Sequence, residues 1–153
     1  MKKFLSYLFF ILSALGVGGL SALLTMKNMD IYSKINVPPL SPPGFLFPIV
    51  WSVLYILMGV SAGIIYNSNN LKKDDALFVY GASLVLNFFW SIFFFNLQNF
   101  IFAFIIILAL LFSIVLTVIK YYKINKLASL LQIPYILWVT FATYLNFAII
   151  LLN

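Results

Sequence analysis

Long apolar stretches separated by short polar breaks are the dominant pattern of this sequence. A helix needs about 20 predominantly apolar residues to cross a bilayer, and the apolar stretches reach that length. They predict five membrane-spanning helices, at about 4–26, 45–66, 76–96, 99–120 and 128–151. No stretch has the composition of a soluble domain. We therefore expect residues 1–153 to form a single all-α membrane domain, a bundle of five transmembrane helices.

The first apolar stretch has two interpretations. Its basic start and the small residues that follow the apolar centre resemble a secretory signal peptide. The apolar run from Phe4 to Leu24 is nevertheless long enough to span a membrane, and we favour an uncleaved first helix.

The basic residues, all of them lysines, are distributed unevenly among the breaks. In a five-helix topology only Lys27 and Lys34 fall on one side of the membrane. The other side carries Lys2, Lys3, Lys72, Lys73, Lys120, Lys123 and Lys126. The positive-inside rule then predicts a multi-pass cell-membrane protein with its N-terminus inside and its C-terminus outside. Lysines scattered over short loops do not indicate a nucleic-acid partner.

The residue types that the chain lacks exclude several kinds of chemistry. It has no histidine, cysteine or glutamate, so disulfides, Cys/His metal sites and histidine acid–base catalysis are excluded. We expect no metal site and no required cofactor. No aspartate or lysine lies deep inside a predicted span, which disfavours an ion-coupled carrier but leaves passive translocation open. The Lys-, Asn-, Ile- and Phe-rich composition is typical of AT-rich bacterial genomes.

Small residues recur at four-residue spacing on three of the predicted helices. Such stripes let helix backbones approach closely in lipid. The stripes consist of Ala14, Gly18 and Ala22, of Gly59 and Gly63, and of Ala109, Ser113 and Thr117. They indicate either internal packing or a dimer interface.

Aromatic and polar residues share one face on each of the second, third and fifth helices. Their spacing is three or four residues, which places each set on one helix side. The sets are Trp51 with Tyr55, then Ser83, Asn87, Trp90 and Phe94, and then Trp138, Ala142 and Asn146. We expect them to converge in the outer half of the bundle as an aromatic-walled pocket for a flat hydrophobic ligand. Alternatively, Trp51 or Trp90 is an interface anchor, and the two asparagines bond to each other or to nearby backbone.

Five of the six prolines lie between residues 38 and 48. Proline fixes φ and restricts the residue before it, so the segment that holds the first four, Pro38, Pro39, Pro42 and Pro43, is stiff and non-helical. Pro48 falls inside the predicted second helix, where we expect it to kink the helix near Trp51. A stiff loop over the pocket mouth has little entropy to lose on closing, which indicates a lid that includes Pro38, Leu40, Pro42, Pro43 and Phe45. A helix-start signal is the alternative interpretation.

Three segments resemble the translocator protein (TspO/MBR) family, also called tryptophan-rich sensory proteins or peripheral benzodiazepine receptors. VPPLSPPGFLFPIVWSVLYILMG resembles the family's proline-rich loop followed by Trp-x-x-x-Tyr, here Trp51 and Tyr55. LNFFWSIFFFNLQN is similar to the third-helix motif, and IPYILWVTFATYLNFAIILLN to the last helix. The order and spacing match over most of the chain after residue 15.

The resemblance implies five helices around a ligand pocket closed by the first loop, usually in a homodimer. It implies binding of porphyrin-like tetrapyrroles, such as protoporphyrin IX, and of isoquinoline or benzodiazepine compounds, in stress sensing or tetrapyrrole regulation. Ligand contacts would fall on Trp51, Asn87, Trp90, Trp138 and Ala142.

Two other functions remain open at this level. Some bacterial relatives are reported to degrade protoporphyrin in light, which would give Trp51 and Trp138 a catalytic role, and passive tetrapyrrole translocation is the third function.

The sequence departs from the family pattern at two places. Leu40 and Phe45 stand where many relatives carry tryptophan, and no basic residue follows Tyr144 to complete the sterol pattern of animal members.

Overall fold

The computed structural model describes residues 2–153, without the side chains of residues 29, 30, 32 and 33. Five helical segments of the described chain are long and apolar enough to cross a bilayer. They are Lys2–Asn28, Leu46–Tyr66, Lys73–Asn96, Phe100–Tyr122 and Lys126–Leu152. The predicted fold class, an all-α membrane protein with five spanning helices, is therefore confirmed.

The α-helices agree with the predicted spans to within three residues at each end, except that the third α-helix ends five residues early and the fifth span is divided. They are α1 (Lys2–Thr25), α2 (Leu46–Tyr66), α3 (Lys73–Ser91), α4 (Phe100–Tyr122), α5 (Lys126–Leu131) and α6 (Ile133–Leu152). The fifth predicted helix is thus divided at Gln132. Pro134 explains the break, because proline has no N–H for the preceding turn and is tolerated only in the first turn of the helix that follows.

Two of the α-helices continue in a different helical geometry, one in a tighter 3-10 helix and one in a wider π-helix. A 3-10 helix, Met26–Ser33, continues α1. The first part of the loop between α1 and α2 is therefore helical. A π-helical turn, Ile92–Asn96, continues α3. Since π-turns are frequent at functional sites, the end of α3 is a candidate region for a functional site.

Asparagine side chains cap the N-termini of two helices. The side-chain oxygen of Asn99 accepts a hydrogen bond from the Phe102 N–H at the start of α4. Asn125 caps α5 in the same way through the Ala128 N–H. These bonds satisfy N–H groups that have no acceptor within the helix, which fixes where each helix begins.

The bundle has two distinct ends. At the lysine end, Lys73 bonds to the carbonyls of Tyr66 and Ser68, and Lys120 pairs with Asp75. At the loop end lie the 3-10 helix, the proline-rich loop of residues 34–45 and the C-terminal end of α6. The main helix contacts join α1 to α2, α3 to α4, and α4 to α6.

Glycines let α1 and α2 approach closely. A Cβ at Gly59 would lie 2.4 Å from the Ile11 Cα, and one at Gly63 would lie 2.4 Å from the Tyr7 ring. Similarly, a Cβ at Gly18 would lie 2.2 Å from the Tyr55 ring. Internal packing is therefore the confirmed interpretation for these glycines of the first two stripes.

Candidate functional site

A cavity of about 220 Å³ opens at the loop end between α1, α2 and the end of α3. Its wall is aromatic and small, with a few hydroxyl groups and no charged side chain, as a hydrophobic ligand requires. The lining residues are Leu15, Gly18, Gly19, Ser21, Ala22, Thr25, Gly44, Phe47, Pro48, Trp51, Ser52, Tyr55, Trp90, Ser91 and Phe95.

A second, much smaller cavity of about 10 Å³ lies beside the first. It is lined by Phe47, Trp51, Trp90, Phe94, Trp138, Ala142, Leu145 and Asn146. Phe47, Trp51 and Trp90 line both cavities, so these rings form the partition between them. A space of this size holds about one water molecule.

Trp51 is the centre of an aromatic cluster. Its ring stacks on Tyr55 with the centroids 5.6 Å apart and meets the Trp138 ring edge-on at 6.5 Å. The Trp138 Nε1–H is buried and has no acceptor among the described residues. Since Trp90 lines both cavities with Trp51, the structure brings the three tryptophans of the sequence together.

Asn87 lies behind the aromatic wall and lines neither cavity. It is buried, and its amide nitrogen donates to the hydroxyls of Tyr55, at 3.3 Å, and Tyr135, at 3.4 Å. The Tyr55 ring in turn lines the cavity and supports Trp51. Asn87 therefore fixes the position of the wall from outside the cavity.

Asn146 and Trp90 join α6 to α3. The Trp90 Nε1–H donates to the Asn146 side-chain oxygen at 2.9 Å. The Asn146 amide nitrogen donates to the Phe100 carbonyl at 2.9 Å, at the start of α4. The two asparagines thus bond to different partners and not to each other, and Asn146 and Ala142 face only the small cavity.

The π-turn at the end of α3 fastens α1 to the cavity. The Asn96 amide nitrogen donates to the Leu24 carbonyl at 2.9 Å, and its oxygen accepts from the Asn28 amide at 2.9 Å. In the same turn Phe95 lines the cavity. The wide turn therefore places one side chain inside the cavity and the next on the end of α1.

The proline-rich loop is fastened to the C-terminal end of α6. Asn36 and Asn153 exchange two hydrogen bonds, of 3.2 Å and 2.9 Å. The Tyr144 hydroxyl donates to the Pro39 carbonyl at 3.2 Å. These bonds hold the loop across the loop end of the bundle from α1 to α6.

The residues predicted to form a lid do not line either cavity. Pro38 is buried, Pro42 is half-buried, and Pro43 is exposed. Leu40 is 81% exposed and Phe45 68% exposed. Leu40 also has a φ of 72°, in a turn closed by a hydrogen bond from the Ser41 N–H to the Pro38 carbonyl. From this loop, Gly44 alone contributes to the cavity wall.

Sequence reasoning missed the wall that α1 contributes. Ser21 and Thr25 are buried there, and they lie on the face that also carries Gly18. The signal that could have found this wall is the three- and four-residue spacing of small and hydroxyl residues on an apolar helix. The sequence-based interpretation of this face covered only its small residues, as a packing stripe or a dimer interface.

Comparison with known proteins shows the family of this chain. The profile of the TspO/MBR family matches residues 9–152. A tryptophan-rich protein TspO from Archaeoglobus fulgidus is 37% identical over 144 residues, which cover 94% of each chain. A tryptophan-rich sensory protein from Cereibacter sphaeroides is 30% identical over 84% of this chain and 80% of its own. The human translocator protein is 26% identical over 80% of this chain and 75% of its own.

The family match spans four of the five membrane helices completely and most of the first. The five spanning helices, the aromatic cluster around Trp51 and the family match together identify this chain as an integral multi-pass membrane protein that belongs to the TspO/MBR family.

Proposed function

We propose that this protein is a membrane receptor for flat hydrophobic ligands, of the porphyrin-type tetrapyrrole and the isoquinoline or benzodiazepine classes. The observation that carries the proposal is the aromatic wall of the main cavity, built by Trp51, Tyr55 and Trp90. Aromatic faces attract flat conjugated rings through stacking and apolar contact. The name of the Cereibacter sphaeroides relative, a tryptophan-rich sensory protein, supports a sensory role, and stress or tetrapyrrole levels are the signals that we propose for it.

The size of the cavity indicates how such a ligand would bind. Its volume of about 220 Å³ is below the range of roughly 300–1,000 Å³ that is usual for drug-sized ligands. The small cavity lies directly behind Trp51, Trp90 and Phe47. A turn of the Trp51 ring would join the two cavities, so we expect ligand binding to displace this ring. The unpaired Trp138 N–H would then reach the enlarged space.

The proline-rich loop is the proposed lid of this site. Its residue Gly44 is part of the cavity wall, and hydrogen bonds to Asn153 and Tyr144 hold the loop to α6, which supports this role. Closure would bring loop residues that are now exposed, above all Leu40 and Phe45, toward the ligand.

The test is a titration of the purified protein with protoporphyrin IX in the dark, followed by the shift of the porphyrin's own absorbance band. This readout is unaffected when a tryptophan fluorophore is removed. We expect saturable binding, with the affinity lowered about tenfold or more in Trp51→Ala, since tenfold corresponds to about 1.4 kcal/mol and a buried aromatic contact contributes about that much.

The matched control is Phe112→Ala. This substitution also removes an aromatic ring, but from a position on α4 that is 66% exposed and outside both cavities. It should bind porphyrin as the unmodified protein does. Binding that does not saturate, or that weakens equally in both variants, would contradict the proposed site.

Light-dependent porphyrin degradation is a second candidate function. The ring contact between Trp51 and Trp138 favours it, because two adjacent indoles beside a photoexcited ring can donate an electron without an acid–base residue. Illumination of the porphyrin-loaded protein tests it. Bleaching faster than for free porphyrin, and slowed in Trp51→Phe and Trp138→Phe, would support degradation, whereas bleaching at the protein-free rate would reject it.

The proposal also includes the oligomeric state: the protein forms a homodimer in the lipid bilayer. The exposed apolar surface of α1, α3 and α4, with residues such as Phe9, Phe78 and Ile101, is suited to lipid or to a second copy. The mass of the protein in lipid nanodiscs tests this part, with one chain per disc as the result that would reject it.

A further inference from the structure

The main cavity has an opening on the side of the bundle, between α1 and α2. Five residues of its wall are exposed: Gly19 and Ala22 on α1, Pro48 and Ser52 on α2, and Gly44 at the end of the proline-rich loop. We name this opening the α1–α2 slot. Apart from Gly44, the proline-rich loop does not line the cavity, and it is fastened to α6 by the bonds of Asn36 and Pro39.

The slot lies at the depth of the bilayer and not above it. Gly19 precedes the end of α1 by six residues, and Ser52 follows the start of α2 by six residues. At 1.5 Å per residue, both lie about 9 Å inside their helices. An opening at this depth faces lipid tails, so it admits molecules that are dissolved in the membrane.

The packing of α1 explains why the opening is on this side. At the lysine end α1 is held close to α2 by the contacts of Gly59 and Gly63 and by the bond from the Ser6 hydroxyl to Asn67. At the loop end α1 is held to α3 instead, through the bonds of Asn96 to Leu24 and Asn28. The two helices α1 and α2 therefore separate toward the loop end, where the cavity fills the space between them.

The surface of the slot is smooth on the α1 side. A Cβ built at Gly19 meets nothing within 4 Å. A glycine in the middle of a helix lowers helix stability by about 1 kcal/mol relative to alanine, and here no close helix contact requires it. Its absent side chain instead keeps the opening free.

The geometry points to lateral entry: a flat hydrophobic ligand that is dissolved in the bilayer passes between α1 and α2, across Gly19 and Ser52, into the main cavity. This inference rests on the proposed function, and it defines the ligand class more narrowly as molecules that the membrane supplies. The proline-rich loop then covers the site from the water side and is not the route of entry.

The first test places a ring in the slot. Gly19→Phe in nanodiscs should slow both the binding and the release of protoporphyrin IX, each tenfold or more. Because Gly19 also lines the cavity, the release rate decides the test: a blocked route slows release, whereas a damaged site speeds it. Gly16→Phe is the matched control, since Gly16 lies three residues earlier on α1 with open space around its Cβ position and outside the cavity wall.

The second test uses the absence of native cysteine from the chain. Ala22→Cys with Ser52→Cys, joined by a cleavable bifunctional thiol reagent, closes the slot. Protein closed before exposure to porphyrin-containing vesicles should not load, protein closed after loading should retain the ligand, and cleavage of the reagent should restore exchange. The control pair, Asn36→Cys with Asn153→Cys, fastens the loop to α6 and should leave loading unchanged.

The outcomes separate this inference from the proposed function. Unmodified protein that shows no saturable porphyrin binding in nanodiscs would reject the function itself. Saturable binding with normal loading through a closed slot, or loading that stops only when the loop is fastened, would overturn lateral entry while the binding site stands.

Discussion

The Trp90 indole N–H donates to the Asn146 side-chain oxygen across 2.9 Å, and this bond joins α3 to α6 inside the bundle. Both residues are buried, Trp90 at 5% and Asn146 at 0% exposure. In lipid, a polar group in the protein interior has no water to bond with, so each partner depends on the other.

Removal of this bond should destabilise the protein. Trp90→Phe leaves the Asn146 oxygen without its donor, and we expect a loss of about 0.5–2 kcal/mol of unfolding free energy, the size of interhelical hydrogen bonds in membranes. Unfolding by sodium dodecyl sulfate in mild-detergent micelles measures it. The double variant with Asn146→Leu should lose less than the sum of the two single variants, because the bond can be lost only once. Additive losses would contradict the coupling.

The glycine contacts between α1 and α2 give a second prediction. A Cβ at Gly59 meets the Ile11 backbone at 2.4–2.6 Å, and backbone cannot move aside as a side chain can. Gly59→Ala should therefore force α1 away from α2 and cost about 1–3 kcal/mol of stability. The same unfolding measurement checks it.

Gly81→Ala is the control for that substitution. Gly81 lies on α3 with nothing within 4 Å of its Cβ position, so alanine there should be neutral or should stabilise by up to about 1 kcal/mol. Equal effects at Gly59 and Gly81 would show that the contact with Ile11 does not hold the two helices together.

The membrane spans could be predicted from the sequence because each depends on a local property. Length and hydropathy identify a spanning helix, and the predicted bounds differ from the observed ones by at most three residues. The grouping of Trp51, Trp90 and Trp138 could also be predicted, because a fixed helix count orients each helix and its periodicity then assigns the face.

The opening of the cavity and the exposure of the loop residues depend on long-range contacts that separate the helices and hold the loop, which no local pattern encodes. Gly18 and Ala22 belong to the same stripe on α1 and both line the cavity, yet Gly18 packs against the Tyr55 ring while Ala22 is exposed at the opening. The difference arises because Asn96 holds the end of α1 against α3. Similarly, the exposure of Leu40 and Phe45 follows from bonds between the loop and α6, residues more than 100 positions apart.

The link from Asn87 to Tyr55 gives a third prediction. Asn87→Leu removes the donor to the Tyr55 hydroxyl without changing a cavity residue. The Tyr55 ring, on which Trp51 stacks, should lose its fixed position. We expect porphyrin affinity to fall about threefold to tenfold, or up to about 1.4 kcal/mol, in the absorbance titration.

Tyr135→Phe separates this effect from a general loss of stability. It removes the other hydroxyl that Asn87 contacts but keeps the bond to Tyr55, and Tyr135 lines neither cavity. Its affinity should stay within about twofold of that of the unmodified protein. A loss as large as that of Asn87→Leu would mean that the whole polar cluster, and not the position of Tyr55, determines binding.

The bonds between the proline-rich loop and α6 give the last prediction. Asn153→Ala removes both hydrogen bonds that the Asn153 side chain makes with Asn36. The turn at residues 38–41 holds Leu40 at a φ of 72°, a conformation that costs a residue with a side chain about 1–2 kcal/mol, so the loop depends on outside contacts to keep its shape. The backbone N–H groups of residues 35–41, which are absent from Pro38 and Pro39, should exchange with deuterium faster, at about tenfold for each 1.4 kcal/mol lost.

Asn70→Ala is the control, because it removes a similar loop bond, from the Lys72 N–H to Asn70, at the lysine end. It should leave exchange at residues 35–41 unchanged. With lateral entry, Asn153→Ala should also leave the rate of porphyrin loading from the bilayer unchanged, since the slot is intact. If the ligand instead enters through the loop, the same variant should load and release porphyrin faster. One substitution therefore distinguishes a loop that only covers the site from a loop that is the route of entry.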